Sequence, residues 1–345
     1  MSTGLALEYA LRSYNLQGAD IESVNSGSNK VYRIIKDERK FYLRISTRPF
    51  EYIAAEIDWM TYLSSGVVVP ELIKSGNAKL IETYEGDGET YIICVYSEMA
   101  GAYWNKNDPL LWNETVFYNW GKTMGKTHQM TKEYKPSDNA YCRPRFEDNL
   151  VPPEYYKSFP SVYEKITRVQ NEILALSRDT DSYGLIHCDM HQQNMLISGD
   201  HIGVLDFDDC RYGWFALDIG IALYHALWWG LPDDDREKNA FAMKIINHFM
   251  LGYKENNHLS DYWIKKIPLF MRYRQIDALS WHLNYYKPAT TNEVVYNDLF
   301  KIHYDFGREI QLIEDEAFFQ GQAINGNEFA EILYKTRRGE KPCSI

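Results

Sequence analysis

Apolar positions change their period several times in the first hundred residues. In "LALEYALRSYNL", Leu5, Tyr9 and Leu16 recur around a polar face, which predicts a short amphipathic helix ending at Gly18. Alternation follows in "IESVNSGSNKVYRIIKDERKFYLRIS". It predicts a Gly-containing turn at Ser26 to Asn29, a strand over Val31 to Ile35, a charged turn at Asp37 to Lys40 and a strand over Phe41 to Ile45, paired as antiparallel hairpins. Beyond Pro49 the residues Ile53, Ile57, Met60 and Leu63 return to helical spacing until Gly66. The β-rich segments "AKLIETYE" and "TYIICVYSEM" complete a small lobe, and "AGAYW" is the crossing to the rest. From residue 101 helical patterns dominate, with one β-rich interruption near residue 200.

The pattern predicts an α+β protein with two parts: residues 1–98, a small antiparallel-sheet lobe, and residues 99–345, a larger and mainly helical one. Its 345 residues suffice for two such parts at roughly 150 residues per domain. No repeat, low-complexity tract or Gly/Ser linker separates them, so they are expected to pack closely with a cleft in the gap. Aromatic residues at 15% alongside 45% hydrophobic positions argue against disorder over most of the chain. A net charge of −11 and the lack of a basic patch argue against nucleic acid as a partner and suit a cationic or neutral small molecule. Five cysteines without a CxxC pair, and Glu8 and Arg12 where a secretory segment would be apolar, point to a reduced, cytoplasmic chain. No run approaches the ~18 apolar residues of a membrane helix, so no membrane association is expected. Nothing in the sequence specifies an oligomeric state.

The β-rich interruption carries the chemistry. "LIHCDMHQQNMLI" places His187, Cys188, Asp189, His191 and Asn194 within eight positions, and "NMLISGDHIGVLDFDD" reads as a hairpin turning at Gly199 and Asp200. Folding back about that turn sets Asn194 nearly opposite Asp206, with Cα atoms roughly 5 Å apart. An amide oxygen and a carboxylate suit a hard cation such as Mg²⁺. Asp189, on the loop entering the hairpin, is placed to accept a hydroxyl proton as that oxygen attacks a phosphoryl group. The competing reading is a zinc site on His187, Cys188 and His191. It lacks an evident fourth ligand, and strand residues follow the stretch at once.

His187, Asp189 and Asn194, followed twelve positions later by Asp206 in "VLDFDD", resemble the HxDxxxxN motif and following DF segment of the aminoglycoside phosphotransferase and choline kinase superfamily. "DFDDCRYGW" and "DIGIALYHALWW" look closer to its homoserine-kinase-like and stress-response-kinase-like branch than to antibiotic-resistance enzymes. The resemblance implies a protein-kinase-like fold and the use of Mg-ATP. It implies Asp189 as catalytic base, Asn194 and Asp206 as magnesium ligands, His187 as a scaffold of the catalytic loop and Asp208 as a secondary residue of the metal segment. Asp218 is similar to the family's buried aspartate that receives hydrogen bonds from that loop, and it equally suits a helix N-cap. "SGSNKVYRI" resembles the phosphate loop, with Gly27, Ser28 and Asn29 at its tip. Arg44 stands where the family usually has lysine, Glu56 is favoured over Glu51 as its ion-pair partner, and Ser97 and Met99 in "VYSEMAG" resemble the adenine-binding hinge. Cys188 and "DFDDC" lack the arginine and glycine that accompany activation-loop phosphorylation in protein kinases.

The expected activity is ATP- and magnesium-dependent transfer of the γ-phosphate to a hydroxyl of a small metabolite: an amino alcohol, sugar, homoserine or aminoglycoside-like compound. A bacterial stress-response-type protein Ser/Thr kinase and a non-catalytic nucleotide-binding scaffold are the alternatives. Acidic and aromatic residues of the larger part, Asp209, Trp214, Trp228, Trp229, "LPDDDRE" and Trp281, are candidates to hold a cationic acceptor. His191, two positions after the base, is a candidate contact to the acceptor or phosphoryl oxygen. The tail from residue 291 is less informative.

Overall fold

Tyr91 to Val95 is an unbroken buried run, the signature of a strand covered on both faces. A computed structural model, describing residues 2–24, 29–150, 160–230 and 235–285, places it in β6 (Glu89–Ser97), with β3 (Arg39–Ser46) along one edge and β4 (Leu72–Ile73) and β5 (Ile81–Gly86) along the other. β2 (Lys30–Lys36) pairs with β3, and β1 (Asp20–Val24) with β2; every pairing in this six-stranded sheet is antiparallel. The side-chain period of two divides the sheet into two cores. Leu43, Ile45, Tyr91, Ile93 and Val95 pack with Ala6, Ala10 and Tyr14 of the α1 (Ser2–Ser13) region, whereas Ile92 and Cys94 meet Ile53 and Ile57 of α2 (Phe50–Leu63). Each fully buried aliphatic side chain contributes roughly 1.5–3 kcal/mol.

The fold is α+β, as the patterning predicts. The chain divides into two compact units, one comprising Met1–Ala102, Tyr134–Arg143 and Leu196–Asp208, the other Tyr103–Glu133, Pro144–Met195 and Asp209–Ile345. The first takes in the expected hairpin about Gly199 and Asp200, formed by β8 (Met195–Ser198) and β9 (His201–Val204). Ala102 and Ile197 exchange backbone hydrogen bonds at 2.9 and 2.8 Å, and Val204 N–H donates to Val68 O at 2.9 Å. The Met99 thioether lies against Gly203, and a Cβ there would have to displace it.

In the second unit α3 (Glu114–Thr131) starts at Asn113, whose side chain accepts from Val116 N at 3.0 Å, and packs on α6 (Asp235–Asn256). Glycines bring these helices together backbone to backbone: a Cβ at Gly121 would overlap the Phe249 carbonyl, and one at Gly252 the Tyr118 carbonyl. α5 (Phe215–Gly230) is apolar nearly all round and correspondingly buried, and Gly220 lets Phe270 and Met271 of α7 (Asp261–Tyr285) approach it. α4 (Pro160–Leu174) also packs on α7, and a short antiparallel ribbon pairs β7 (Tyr183–Ile186) with β10 (Arg211–Trp214). Among the described residues no helix is long and apolar enough to cross a membrane. Ser26, Gly27 and Ser28 of the expected turn, the "LPDD" segment and the tail lie outside the described residues, as does the Trp281 side chain.

Candidate active site

In the first unit, alternation along β3 turns Leu43 and Ile45 toward one core and Arg44 toward the other, opposite Cys94 and facing α2. Glu56 comes from the buried face of that helix. Arg44 Nη1 and Glu56 Oε1 are 2.7 Å apart, at residue exposures of 8% and 1%, so Arg44 is not a surface charge and exposed Glu51 is not its partner. Burial works against the guanidinium charge, but the Glu56 carboxylate outweighs it and raises Arg44 well above its ordinary pKa. Tyr96 offers its ring 5.6 Å from the guanidinium carbon. Arg44 Nη2 and Glu56 Oε2 are buried without a hydrogen-bond partner among the described residues.

Asp208 is tied into the same unit. Its carboxylate pairs with Arg48 Nη1 at 3.0 Å and lies 4.0 Å from Arg44 Nη1. Its carbonyl accepts from Arg143 Nη2 at 2.5 Å and Arg48 Nη1 at 3.1 Å, and Arg143 stacks over Tyr52 at 3.6 Å. Asp206, two residues before, is exposed and holds φ at 58°, an uncommon conformation for a residue with a Cβ. Of the expected nucleotide contacts, Asn29 is partly buried beside β2, while Gly27 and Ser28 lie outside the described residues. Ser97 N–H already donates to Glu71 O at 2.9 Å.

In the second unit the loop that follows β7 is held from below. Asp218 Oδ1 accepts from Cys188 N–H at 2.6 Å, and Oδ2 accepts from His187 N–H at 2.9 Å and His128 Nε2 at 3.1 Å. Those two amides draw Cys188 to φ 65°, a left-handed conformation disfavoured by roughly 1–2 kcal/mol without such restraint. Burial pushes His128 below its ordinary pKa, with Asp218 offsetting part of the shift. The neutral ring then fits one direction of donation: Asn257 Nδ2 to Tyr253 Oη at 2.7 Å, Tyr253 O–H to His128 Nδ1 at 2.9 Å, and His128 Nε2–H to Asp218. Asp218 therefore anchors the loop from within α5.

The loop delivers Asp189 with its side chain 18% exposed. Asn194 Nδ2 donates to the Asp189 carbonyl at 3.0 Å and to Oδ2 at 2.9 Å. His191 Nδ1 accepts from Gln193 N–H at 3.1 Å, so its Nε2 carries the proton and faces Oδ2 at 3.3 Å. Arg274 Nη2 donates to Oδ1 at 2.6 Å. Burial by itself would raise the Asp189 carboxyl; the Arg274 charge and the His191 hydrogen bond outweigh it and hold the group well below the ordinary carboxylate range. A carboxylate ionised at neutral pH, exposed along one side and fixed by an amide, an imidazole and a guanidinium is suited to accept a proton from an alcohol.

The zinc alternative finds no support. Among the described residues no group of three or more His, Cys, Asp or Glu side chains is placed to hold a metal ion. His187 Nδ1 instead takes Asp189 N–H at 3.3 Å, and burial raises the Cys188 thiol well above its ordinary pKa. Trp214 is wholly buried, with its indole N–H on Ser177 O at 2.8 Å, so it belongs to the core and not to an acceptor surface. Arg274, His225 and Asp277 around Asp189, and Arg48 and Arg143 around Asp208, are contributions that the sequence reading missed. The i, i+3 spacing of Arg274 and Asp277 marks one helix face, but no local signal links them to a residue 85 positions earlier.

A family model described as "Phosphotransferase enzyme family" (APH) matches residues 20–244. The chain belongs to this family. It is 33% identical over 283 residues to an amicoumacin kinase of Bacillus subtilis (strain 168), covering 78% of this chain and 82% of that one. A solved amicoumacin kinase in complex with AMP-PNP, Ca²⁺ and Ami matches with a TM-score of 0.82 and 28% identity over 92% of this chain and 95% of that one. A microcompartment-associated aminopropanol kinase shares the fold, with a TM-score of 0.62 and 18% identity over 97% of each chain. The expected superfamily is thereby shown, and the chain is a small-molecule kinase acting on a hydroxyl group. Neither a protein-kinase role nor a non-catalytic scaffold is needed to account for it.

Proposed function

We propose that the protein transfers the γ-phosphate of ATP, with magnesium, to a hydroxyl of a small molecule, and that Asp189 is the base. The observation that carries this reading is the hold on Asp189. Asn194 spends its amide nitrogen on both the carbonyl and Oδ2 of Asp189, so its remaining polar atom is an oxygen, a hard donor. The Asn194 amide oxygen and the exposed Asp206 carboxylate match the oxygen ligands that magnesium prefers. Magnesium bound by these two would neutralise phosphate charge. Asp189 accepts the proton of the acceptor hydroxyl; the acceptor oxygen forms its bond to the γ-phosphorus as the bond to the β,γ-bridging oxygen breaks, and ADP leaves.

On the nucleotide side, Arg44 supplies the cation for the phosphates and Glu56 orients it; the unpaired Arg44 Nη2 supports this assignment. Gly27, Ser28 and Asn29 serve as the phosphate loop, and the Ser97 carbonyl and Met99 amide as the adenine contacts. His187 and Asp218 keep the loop in shape, and Asp208 fixes Arg48 beside Arg44. The test is ATP consumption over an acceptor panel of hydroxylated amines, sugars and amino acids. Amicoumacin comes first because kinases for it are similar along most of this chain. The Asp189→Asn variant should keep its thermal shift with Mg-ATP and lose turnover by about 10²–10⁴-fold. Turnover near the wild-type level in that variant would remove Asp189 from its role.

A further inference from the structure

Asp189 has one polar direction left, and Arg274 stands beside it. An ionised carboxylate offers about four lone-pair directions. Among the described residues three are taken: Asn194 and His191 on Oδ2, and Arg274 on Oδ1. The fourth is on Oδ1, next to the guanidinium. Arg274 is itself held at three points: Nη2 on Asp189, Nη1 on Asp277 Oδ2 at 2.8 Å and Nε on His225 Nε2 at 2.9 Å. With Nε2 accepting, the neutral His225 ring carries its proton on Nδ1, and it packs 4.7 Å from the His191 ring. Arg274 is thus fixed on α7 with its side chain 17% exposed, and a second hydrogen on Nη2 has no partner among the described residues.

We infer that Arg274 both positions Asp189 and reads the acceptor, selecting small molecules whose reacting hydroxyl is flanked by a second oxygen, as in a vicinal diol or an α-hydroxy carbonyl compound. This rests on Asp189 being the base. A hydroxyl donating to the vacant direction on Oδ1 arrives roughly 4.5 Å from Nη2, the separation of two donors that share one oxygen. An oxygen on the neighbouring carbon can then accept the spare Nη2 hydrogen, so that the carboxylate and guanidinium together bind an HO–C–C–O unit at two points. An ammonium group on that carbon has no lone pair to offer and leaves the Nη2 hydrogen unmatched. Selection rests on donor and acceptor matching and not on net charge, since Asp189 and Asp277 together outweigh the charge of Arg274. The expectation of a cationic acceptor is thereby narrowed: a positive group belongs elsewhere on the acceptor, away from the reacting carbon's neighbour.

The experiment compares lactamide, a hydroxyl beside a carbonyl, with 1-amino-2-propanol, a hydroxyl beside an ammonium group, at matched concentration in the full-length protein with Mg-ATP. ADP release is the turnover readout, and the melting-temperature shift with Mg-AMP-PNP present is the binding readout. The wild type should favour lactamide by at least about tenfold. Arg274→Met should lower kcat about 10²-fold on any accepted compound and abolish the preference. Arg274→Lys, which keeps the charge without the fork, should recover part of kcat and not the preference. All variants are checked for an intact Mg-ATP thermal shift, and if Arg274→Met does not fold, Arg274→Lys carries the test. No preference in turnover or binding, or unchanged kcat in Arg274→Met, overturns the inference. An active Asp189→Asn variant alongside these would instead overturn the assignment of the base.

Discussion

Asp218→Asn replaces one oxygen of a buried carboxylate by an amide nitrogen and leaves the shape unchanged. In the wild type both oxygens accept, Oδ1 from Cys188 N–H and Oδ2 from His187 N–H and His128 Nε2. An asparagine can serve only one side. If its oxygen faces Cys188, its NH₂ opposes the His187 amide; the reverse orientation strands Cys188. Either way one fully buried amide loses its acceptor, at about 1–3 kcal/mol, and the other trades a charged acceptor for a neutral one, at about 1 kcal/mol more. His128 can relieve part of this by moving its proton to Nδ1, which then collides with the donation from Tyr253. The expected loss is about 2–4 kcal/mol, against a total stability of about 5–15 kcal/mol. A urea melt measures it as a lower midpoint with an unchanged slope. The same substitution lets Cys188 leave its left-handed conformation and carries Asp189 out of position, so kcat should fall by about 10²-fold while Mg-ATP binding persists. A variant within about 0.5 kcal/mol of wild type and fully active would refute the idea that Asp218 anchors the loop.

Glu56→Ala leaves the buried Arg44 with only the Asp208 carboxylate, 4.0 Å away, and should cost about 3–5 kcal/mol, whereas Arg44→Met combined with Glu56→Leu should recover most of that stability without restoring nucleotide binding; equilibrium melts and a Mg-ATP titration check both. Gly121→Ala should destabilise by about 1–3 kcal/mol or more, because the added methyl meets the Phe249 carbonyl and not a movable side chain; differential scanning calorimetry reads the loss. The pKa of His128 is lowered from an ordinary 6.5, so its contribution to stability is complete above that value and is lost as pH falls through the folded value. Urea midpoints should therefore drop between about pH 7.5 and pH 5, and His128→Gln should flatten that slope, His225 acting in the same direction in both proteins.

Much of the catalytic half was legible because its signals are local. Asp189 and Asn194 are five positions apart, close enough for one loop to bring the amide of Asn194 onto the carboxylate of Asp189, and a hairpin turn at Gly199 and Asp200 follows from β-branched runs on either side. Alternation in "FYLRIS" and helical spacing in "EYIAAEIDWM" likewise put Arg44 and Glu56 on facing surfaces. The partner of Arg44 was legible only as a preference, since Glu51 fits the same helix by its dipole and only burial separates the two.

Short-range relations are thus written locally in the chain: the period of each element, the turn between β8 and β9, and the spacing of the polar loop residues. Tertiary structure alone decided which distant groups complete them. Arg274 meets Asp189 because α7 packs along α5, and His128 meets Asp218 because α3 and α5 both pack on β7 and α6. Arg48 and Arg143 reach Asp208 from segments 160 and 65 residues away. No periodicity encodes such pairings. Local patterns record how one element repeats, while long-range contacts depend on how whole faces bury against each other, a property of their summed shapes and not of any residue's neighbours in the chain.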